Sequence, residues 1–129
     1  MIVLDTPALI SWLSGRGDLC AGTREVINRS LRGREIAISV ISVVDIGQYV
    51  HDGRLELSVS TRSWLSELAS IDGIRLVAVD TIIAVRAAAL STMLSSHQRL
   101  IAATATTLAG VLVTPDTRMR ELAYVETIW

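Results

Sequence analysis

The sequence predicts an α/β fold with a mainly parallel central sheet, and two features of the chain indicate it. Short apolar segments alternate with longer segments of helical periodicity, which is typical of successive βαβ units. The first short segment, residues 2–4, is apolar without alternation and stops at Asp5. A strand that is buried on both faces of a parallel sheet has this pattern.

Length and composition predict a single globular domain over residues 1–129. Half of the residues are hydrophobic, so the chain is too apolar for disorder and long enough for a real core. No apolar run approaches the roughly 20 residues of a membrane span, and the N-terminus lacks the basic region of a signal peptide. Cys20 is the only cysteine, which fits a reducing compartment. We therefore expect a cytoplasmic protein with no membrane partner.

Capping and turn residues delimit the elements of the first half of the chain. Thr6 fits a helix cap, and Pro7 fits the first helical position, where its missing N–H costs nothing. Gly33 fits the C-terminal end of a helix, and so does the pair Asp52-Gly53. The predicted elements are a strand ending at residue 4, a helix over 7–13 closed by a turn at 14–17, a helix over 21–32, a strand over 36–39 and a helix over 42–50.

The second half repeats the alternation. Asp80 is predicted to cap a helix, and Gly110 is predicted to end one. The predicted elements are helices over 61–70, 81–90, 98–108 and 117–122, and strands over 74–79, 111–114 and 125–129.

Three aspartates take equivalent places after predicted strands. Asp5 ends the first strand, Asp45 lies past the second in the first turn of its helix, and Asp116 lies past the fourth. Parallel strands bring these positions to one edge of the sheet, where open α/β sheets bind ligands. Like charges crowded there repel unless a cation lies between them, and oxygen ligands favour Mg²⁺ or Mn²⁺. Such a cation can lower the pKa of a bound water and polarise a phosphodiester. The alternative for Asp5 is that it only helps to cap the next helix.

Five segments resemble, in the same order, those of PIN domains, and specifically of VapC-type toxin nucleases. They are MIVLDT (1–6), SVISVVDI (39–46), RLIAATA (99–105), LVTPD (112–116) and the ending TIW (127–129). The resemblance implies a three-layer α/β/α domain and an endoribonuclease that depends on Mg²⁺ or Mn²⁺ and hydrolyses RNA with a metal-activated water. It also implies a cognate antitoxin and, with the apolar helices, a homodimer.

The resemblance assigns the metal and the catalysis to the three aspartates and leaves their neighbours in supporting roles. Thr6, Ser42 and Thr114 each lie near a site acid and could hydrogen-bond it, although each also suits a helix cap or strand end. Arg99 could contact an RNA phosphate or pair with a site acid. Neutral imidazole commonly binds metals, but His97 is interpreted as a polar residue in the first turn of its helix rather than as a metal ligand.

The chain departs from the family pattern at two site positions. The family usually has glutamate where this chain has Asp45, and aspartate where it has Gln98. Gln98 lacks the charge of that fourth acid, although its amide oxygen could still be a weak ligand. It also completes a capping-box pattern with Ser95, which is a purely structural explanation. Two hypotheses follow: a metal-dependent ribonuclease, or a degenerate PIN domain that binds antitoxin or RNA with little or no catalysis.

Overall fold

A computed structural model describes residues 1–15 and 17–129. Arg16, within the predicted turn at 14–17, lies outside the described residues. The strands are β1 (Ile2–Leu4), β2 (Ile36–Ser39), β3 (Ile74–Val77), β4 (Val111–Val113) and β5 (Thr127–Ile128). The helices are α1 (Thr6–Ser14), α2 (Ala21–Arg32), α3 (Val40–His51), α4 (Thr61–Ser70), α5 (Thr81–Ala88), α6 (Ser96–Thr107) and α7 (Thr117–Arg120).

The five strands form one parallel sheet in the order β3-β2-β1-β4-β5, which confirms the predicted fold class. Strand β1 lies at the centre, and its Ile2 pairs with Ile36 on one side and Val111 on the other. The chain adds β2 and β3 on one side of β1 and later adds β4 and β5 on the other. The strand order thus reverses next to β1, and a crevice for ligands is expected there at the carboxyl ends.

Helices cover both faces of the sheet and make three layers. Ile2 and Leu4 point into one core, to which α1, α2, α3 and α4 contribute buried residues. Val3 points into the opposite core, with buried residues of α6 and α7, and α5 packs against α6. This alternation along β1 buries the central strand on both faces, as its uninterrupted apolar sequence predicts.

Three helices, α1, α3 and α6, begin earlier than predicted. The side chain of Asp5, and not Thr6, caps α1: Asp5 has extended backbone angles, and its carboxylate accepts the Thr6 N–H. Helix α3 begins at Val40, because Ser39 accepts the Ile41 N–H and provides the cap. The predicted start at residue 42 was therefore wrong. Position 45 lies in the second helical turn and not in the first.

The remaining bounds differ mainly at the ends of elements. The helices over 21–32 and 61–70 and the strand over 36–39 are confirmed with their predicted bounds. Helix α6 begins two residues before its predicted start, and the strands β3, β4 and β5 are shorter than predicted. None of the helices in the described part of the chain is both long and apolar enough to span a membrane.

Candidate functional site

The three predicted site aspartates line one cleft of about 440 Å³ at the carboxyl edge of the sheet. Asp5 directly follows β1, Asp45 lies on α3, and Asp116 caps α7 after β4. We call this space the acidic cleft. Its other lining residues include Thr6, Pro7, Tyr49, Ser95, Ser96, His97, Gln98 and Ile101.

Asp5 is the most deeply placed of the acids, with 4% of its surface exposed. Its Oδ1 accepts the Thr6 N–H (2.8 Å), and its Oδ2 accepts the Thr114 hydroxyl (2.7 Å). Burial is the largest cause that raises the pKa of the Asp5 carboxyl, to about 6. The two hydrogen bonds lower this pKa, whereas the negative charges of Asp116 and Asp45 raise it further. Asp45 and Asp116 are therefore both close enough to repel the charge of Asp5.

Thr6 and His97 hold Asp45. The Thr6 hydroxyl donates to Asp45 Oδ2 (2.7 Å) and lies 3.0 Å from the Ser42 hydroxyl oxygen. His97 Nδ1 lies 2.5 Å from Asp45 Oδ1. This hydrogen bond joins α3 to α6 across the cleft. Thr6 therefore links two site acids, with its backbone N–H on Asp5 and its hydroxyl on Asp45.

Gln98 contacts Asp116 and also completes a capping box. Its Oε1 accepts the Ser95 N–H (3.1 Å) while the Ser95 hydroxyl accepts the Gln98 N–H (3.1 Å), so the predicted capping box is confirmed. The Gln98 Nε2 donates to Asp116 Oδ2 (2.9 Å). The other carboxylate oxygen of Asp116 accepts the Met119 N–H. The backbone N–H of Asp116 donates to the Thr114 hydroxyl. One amide side chain therefore contributes both to the helix start and to the lining of the cleft.

Arg99 differs from the other supporting residues. It forms no ion pair with a site acid within residues 1–15 and 17–129, so that alternative was wrong. Its Nη2 donates to the Ser96 hydroxyl (3.3 Å), and its buried Nε has no hydrogen-bond partner. Helix α6 turns Arg99 away from the side on which Gln98 reaches Asp116, since consecutive helical residues do not share a face.

Two residues of the cleft were missed at the level of sequence. His97 was interpreted only as a polar residue of the first helical turn, because its partner Asp45 lies 52 positions away. Tyr49 also lines the cleft, and a signal for it was present. It lies four positions after Asp45 in α3, and residues at this spacing share a helix face.

The acids fit a hard dication in charge and donor type, because carboxylate oxygens are the ligands that Mg²⁺ and Mn²⁺ prefer and two of the acids repel the charge of the third. Both oxygens of each carboxylate, however, already accept a hydrogen bond from the protein. Among the described residues, no group of three His, Cys, Asp or Glu side chains is arranged to hold one ion. The cleft thus offers the right donor chemistry without a preformed metal cage.

The raised pKa of Asp5 predicts how the stability of the protein depends on pH when EDTA has removed metal ions. The folded state keeps the Asp5 proton up to pH about 6, whereas the unfolded chain releases it near the ordinary value of 3.8. The free energy of unfolding should therefore fall as pH rises from about 3 to about 7, by about 3 kcal/mol from Asp5 alone. Asp5→Asn should remove this decrease, which urea unfolding of both proteins at several pH values measures. Identical pH profiles for the two proteins would contradict the prediction.

Comparisons with known proteins support the fold. No protein-family model matches this sequence, and no curated protein matches it. Among solved structures, a chain of FitAcB from Neisseria gonorrhoeae is similar at 23% identity and a TM-score of 0.70, covering 100% of this chain and 97% of that one. A chain of DNA-bound VapBC from Salmonella typhimurium has 18% identity and a TM-score of 0.68, with coverages of 98% and 96%.

A third similar chain belongs to a toxin–antitoxin complex from Klebsiella pneumoniae. It has 19% identity and a TM-score of 0.66, and the match covers 100% of this chain and 97% of that one. The α/β fold with its parallel five-stranded sheet is thus the PIN-like fold of VapC-type proteins. At these identities the likeness extends to the fold alone.

Proposed function

We propose that this protein is a metal-dependent endoribonuclease that resembles the VapC toxins of toxin–antitoxin systems. One observation carries the proposal: Asp5, Asp45 and Asp116 come from three separate parts of the chain and line one cleft at the strand ends. A cleft with three carboxylates suits a reaction at a phosphodiester only if positive charge balances them. Mg²⁺ or Mn²⁺, when bound, would supply that charge and lower the pKa of a coordinated water.

The chain's own residues prepare this cleft. Thr114 and Thr6 fix the two oxygens of Asp5, and Thr6 also fixes Asp45, so each carboxylate has a defined orientation. His97 holds the second oxygen of Asp45. Such hydrogen bonds orient metal ligands and are as much a part of metal sites as the ligands themselves. We assign Thr6, Thr114 and His97 as positioning residues, with Ser42 supporting Thr6.

Cleavage of labelled RNA by the dialysed protein tests the proposal. Purified protein should cut a 5′-labelled single-stranded RNA when Mn²⁺ or Mg²⁺ is added, and EDTA should stop the reaction. DNA of the same sequence is the matched substrate control. Cleavage that continues unchanged in EDTA would contradict the metal dependence, and the absence of cleavage with every dication would contradict the enzyme.

A second candidate is a degenerate PIN domain that binds RNA or an antitoxin without cleaving. The position of Gln98 favours it, because this amide occupies Asp116 Oδ2 while the capping box holds it in place. The absence of a preformed group of three metal-binding side chains, within the described part of the chain, points the same way. The cleavage assay with and without dication distinguishes the two candidates.

We propose a cognate antitoxin as the protein partner. The similar solved structures include a toxin–antitoxin complex, and VapBC from Rickettsia felis and from Salmonella typhimurium are both described as bound to DNA. This chain has a net charge of −1, so its overall charge does not favour binding to DNA. We therefore place any DNA contact of such a complex on the antitoxin.

We expect a homodimer, because apolar side chains remain exposed on the helices. Ile82 and Val85, three positions apart on α5, are 57% and 65% exposed, and Val44 on α3 is 56% exposed. Burying such side chains against a second copy removes apolar surface from water. Size-exclusion chromatography with light scattering should give twice the 14.0 kDa mass of one chain. A mass of 14.0 kDa at high micromolar concentration would contradict the dimer.

A further inference from the structure

We propose that Tyr49 and Arg54 form a docking subsite for one nucleotide of single-stranded RNA at the rim of the acidic cleft. The inference rests on the proposed ribonuclease function and names a part of the substrate-binding surface. Tyr49 lines the cleft, and the guanidinium carbon of Arg54 lies 4.3 Å from the centre of the Tyr49 ring. Tyr49 thus lines the space that contains the site acids, and Arg54 lies over its ring just outside that lining.

The end of α3 builds this pair. Asp45 precedes Tyr49 by about one helical turn, or about 5.4 Å along the helix axis, so the two side chains share a helix face. The helix then ends at Asp52, and Gly53 takes a left-handed conformation with φ of +73°. This turn brings the Arg54 N–H onto the Tyr49 carbonyl oxygen (2.8 Å). The backbone therefore sets Arg54 beside the ring of Tyr49 before any ligand binds.

Arg54 has no anionic partner among the described residues, although its guanidinium contacts the Tyr49 ring. Its side chain is exposed, and across residues 1–15 and 17–129 its guanidinium forms no ion pair and no hydrogen bond. The three carboxylates of the cleft repel phosphate groups, so an RNA strand needs positive charge where it enters. A guanidinium can bind a phosphate through two parallel hydrogen bonds. Arg54 is placed to supply this contact beside Tyr49, which follows Asp45 by four residues on α3.

The stacked pair also suits a base. Proteins that bind single-stranded RNA stack unpaired bases on aromatic rings and on guanidinium planes. The Tyr49 ring holds the guanidinium of Arg54 from one side by a cation–π contact. This leaves the donors of Arg54 for a phosphate and the exposed surface of the pair for the adjoining base. A base stacked in a duplex cannot reach such a surface, which restricts the subsite to single strands.

Binding of a short fluorescent RNA, measured by anisotropy in EDTA, tests the subsite without any cleavage. Arg54→Gln and Tyr49→Ala should each weaken binding of a single-stranded RNA about tenfold. Tyr49→Phe should retain it, because the ring remains. Arg54→Gln should also reduce the slope of log K against log salt by about 0.7. Arg62→Gln is the matched control, since Arg62 is an exposed arginine on α4, and it should bind RNA as the unaltered protein does.

The outcomes separate the subsite from the proposed function. Unchanged RNA binding by folded Arg54→Gln and Tyr49→Ala proteins would overturn the subsite while the ribonuclease proposal stands. Equal losses for Arg62→Gln and Arg54→Gln would also overturn it, because nonspecific charge would then explain the effect. Weakened binding by the two variants in a protein that cuts no RNA with any dication would support the subsite and overturn the ribonuclease. Failure of the unaltered protein to bind RNA in EDTA would overturn the subsite, and the cleavage assay with dication would then test the ribonuclease separately.

Discussion

Asp5→Asn is expected to reduce metal-dependent RNA cleavage at least about a hundredfold. The change keeps the size of the side chain and removes the charge of the most buried acid in the cleft. An asparagine also presents an NH₂ group where Asp5 now accepts from Thr6 or Thr114. Initial rates with a labelled RNA and saturating Mn²⁺ measure the effect.

A stability measurement and a matched control make this result interpretable. Because burial raises the pKa of Asp5 to about 6, removing its charge should stabilise the fold at pH 7 and oppose the cost of the misplaced NH₂ group, and urea unfolding at pH 7 measures whether the variant is folded. Asp72→Asn is the matched control. Asp72 is exposed, pairs with Arg34 on the surface and precedes β3 at the opposite edge of the sheet. If Asp5→Asn cuts RNA as fast as Asp72→Asn, Asp5 is not part of the active site.

Gln98→Asp is expected to increase affinity for Mn²⁺ and Mg²⁺ about tenfold or more and to raise cleavage. The unaltered protein should bind Mg²⁺ weakly or undetectably and tolerate Mn²⁺ better, because three carboxylates hold a hard dication less strongly than four. The new carboxylate would face Asp116, whose Oδ2 now accepts from Gln98. Without metal, this repulsion and the lost capping-box bond should cost stability, by about 1 kcal/mol each.

Calorimetric metal titration alongside cleavage of labelled RNA measures both effects. Gln98→Asn is the matched control, because it shortens the side chain as aspartate does and adds no charge. Higher metal affinity in Gln98→Asp but not in Gln98→Asn would assign the effect to charge. If Gln98→Asp stays folded and changes neither affinity nor cleavage, position 98 lies outside the metal site and serves only the capping box.

The sheet and the helices with clear caps could be predicted from sequence because their signals are local. The uninterrupted apolar residues of β1 and β2 indicate strands that are buried on both faces, and Gly33 indicates the end of α2. The predicted start of α3 was wrong for a physical reason. Val40 and Ile41 are β-branched and continue the apolar character of β2, so nothing local marks the boundary except the Ser39 cap.

The convergence of the three acids could be predicted because parallel strands fix which ends meet, whereas side-chain partners could not. The contact between His97 and Asp45 joins two helices through the fold, and neither residue's neighbours indicate it. Gln98 is a second side chain whose contacts the sequence could not predict in full. The capping box and a place in the cleft were posed as alternatives, and the geometry satisfies both at once. The local sequence indicates which hydrogen bonds a side chain can make, and tertiary packing decides how many of them form at the same time.

The position of bound Mn²⁺ tests the central claim most directly. Anomalous diffraction from crystals soaked in Mn²⁺ should show an ion in the acidic cleft, coordinated by oxygens of Asp5, Asp45 and Asp116. The same protein should cut RNA at that Mn²⁺ concentration. An ion bound elsewhere, or an empty cleft in a protein that cleaves RNA in the same solution, would contradict the assignment of these three acids as the metal site.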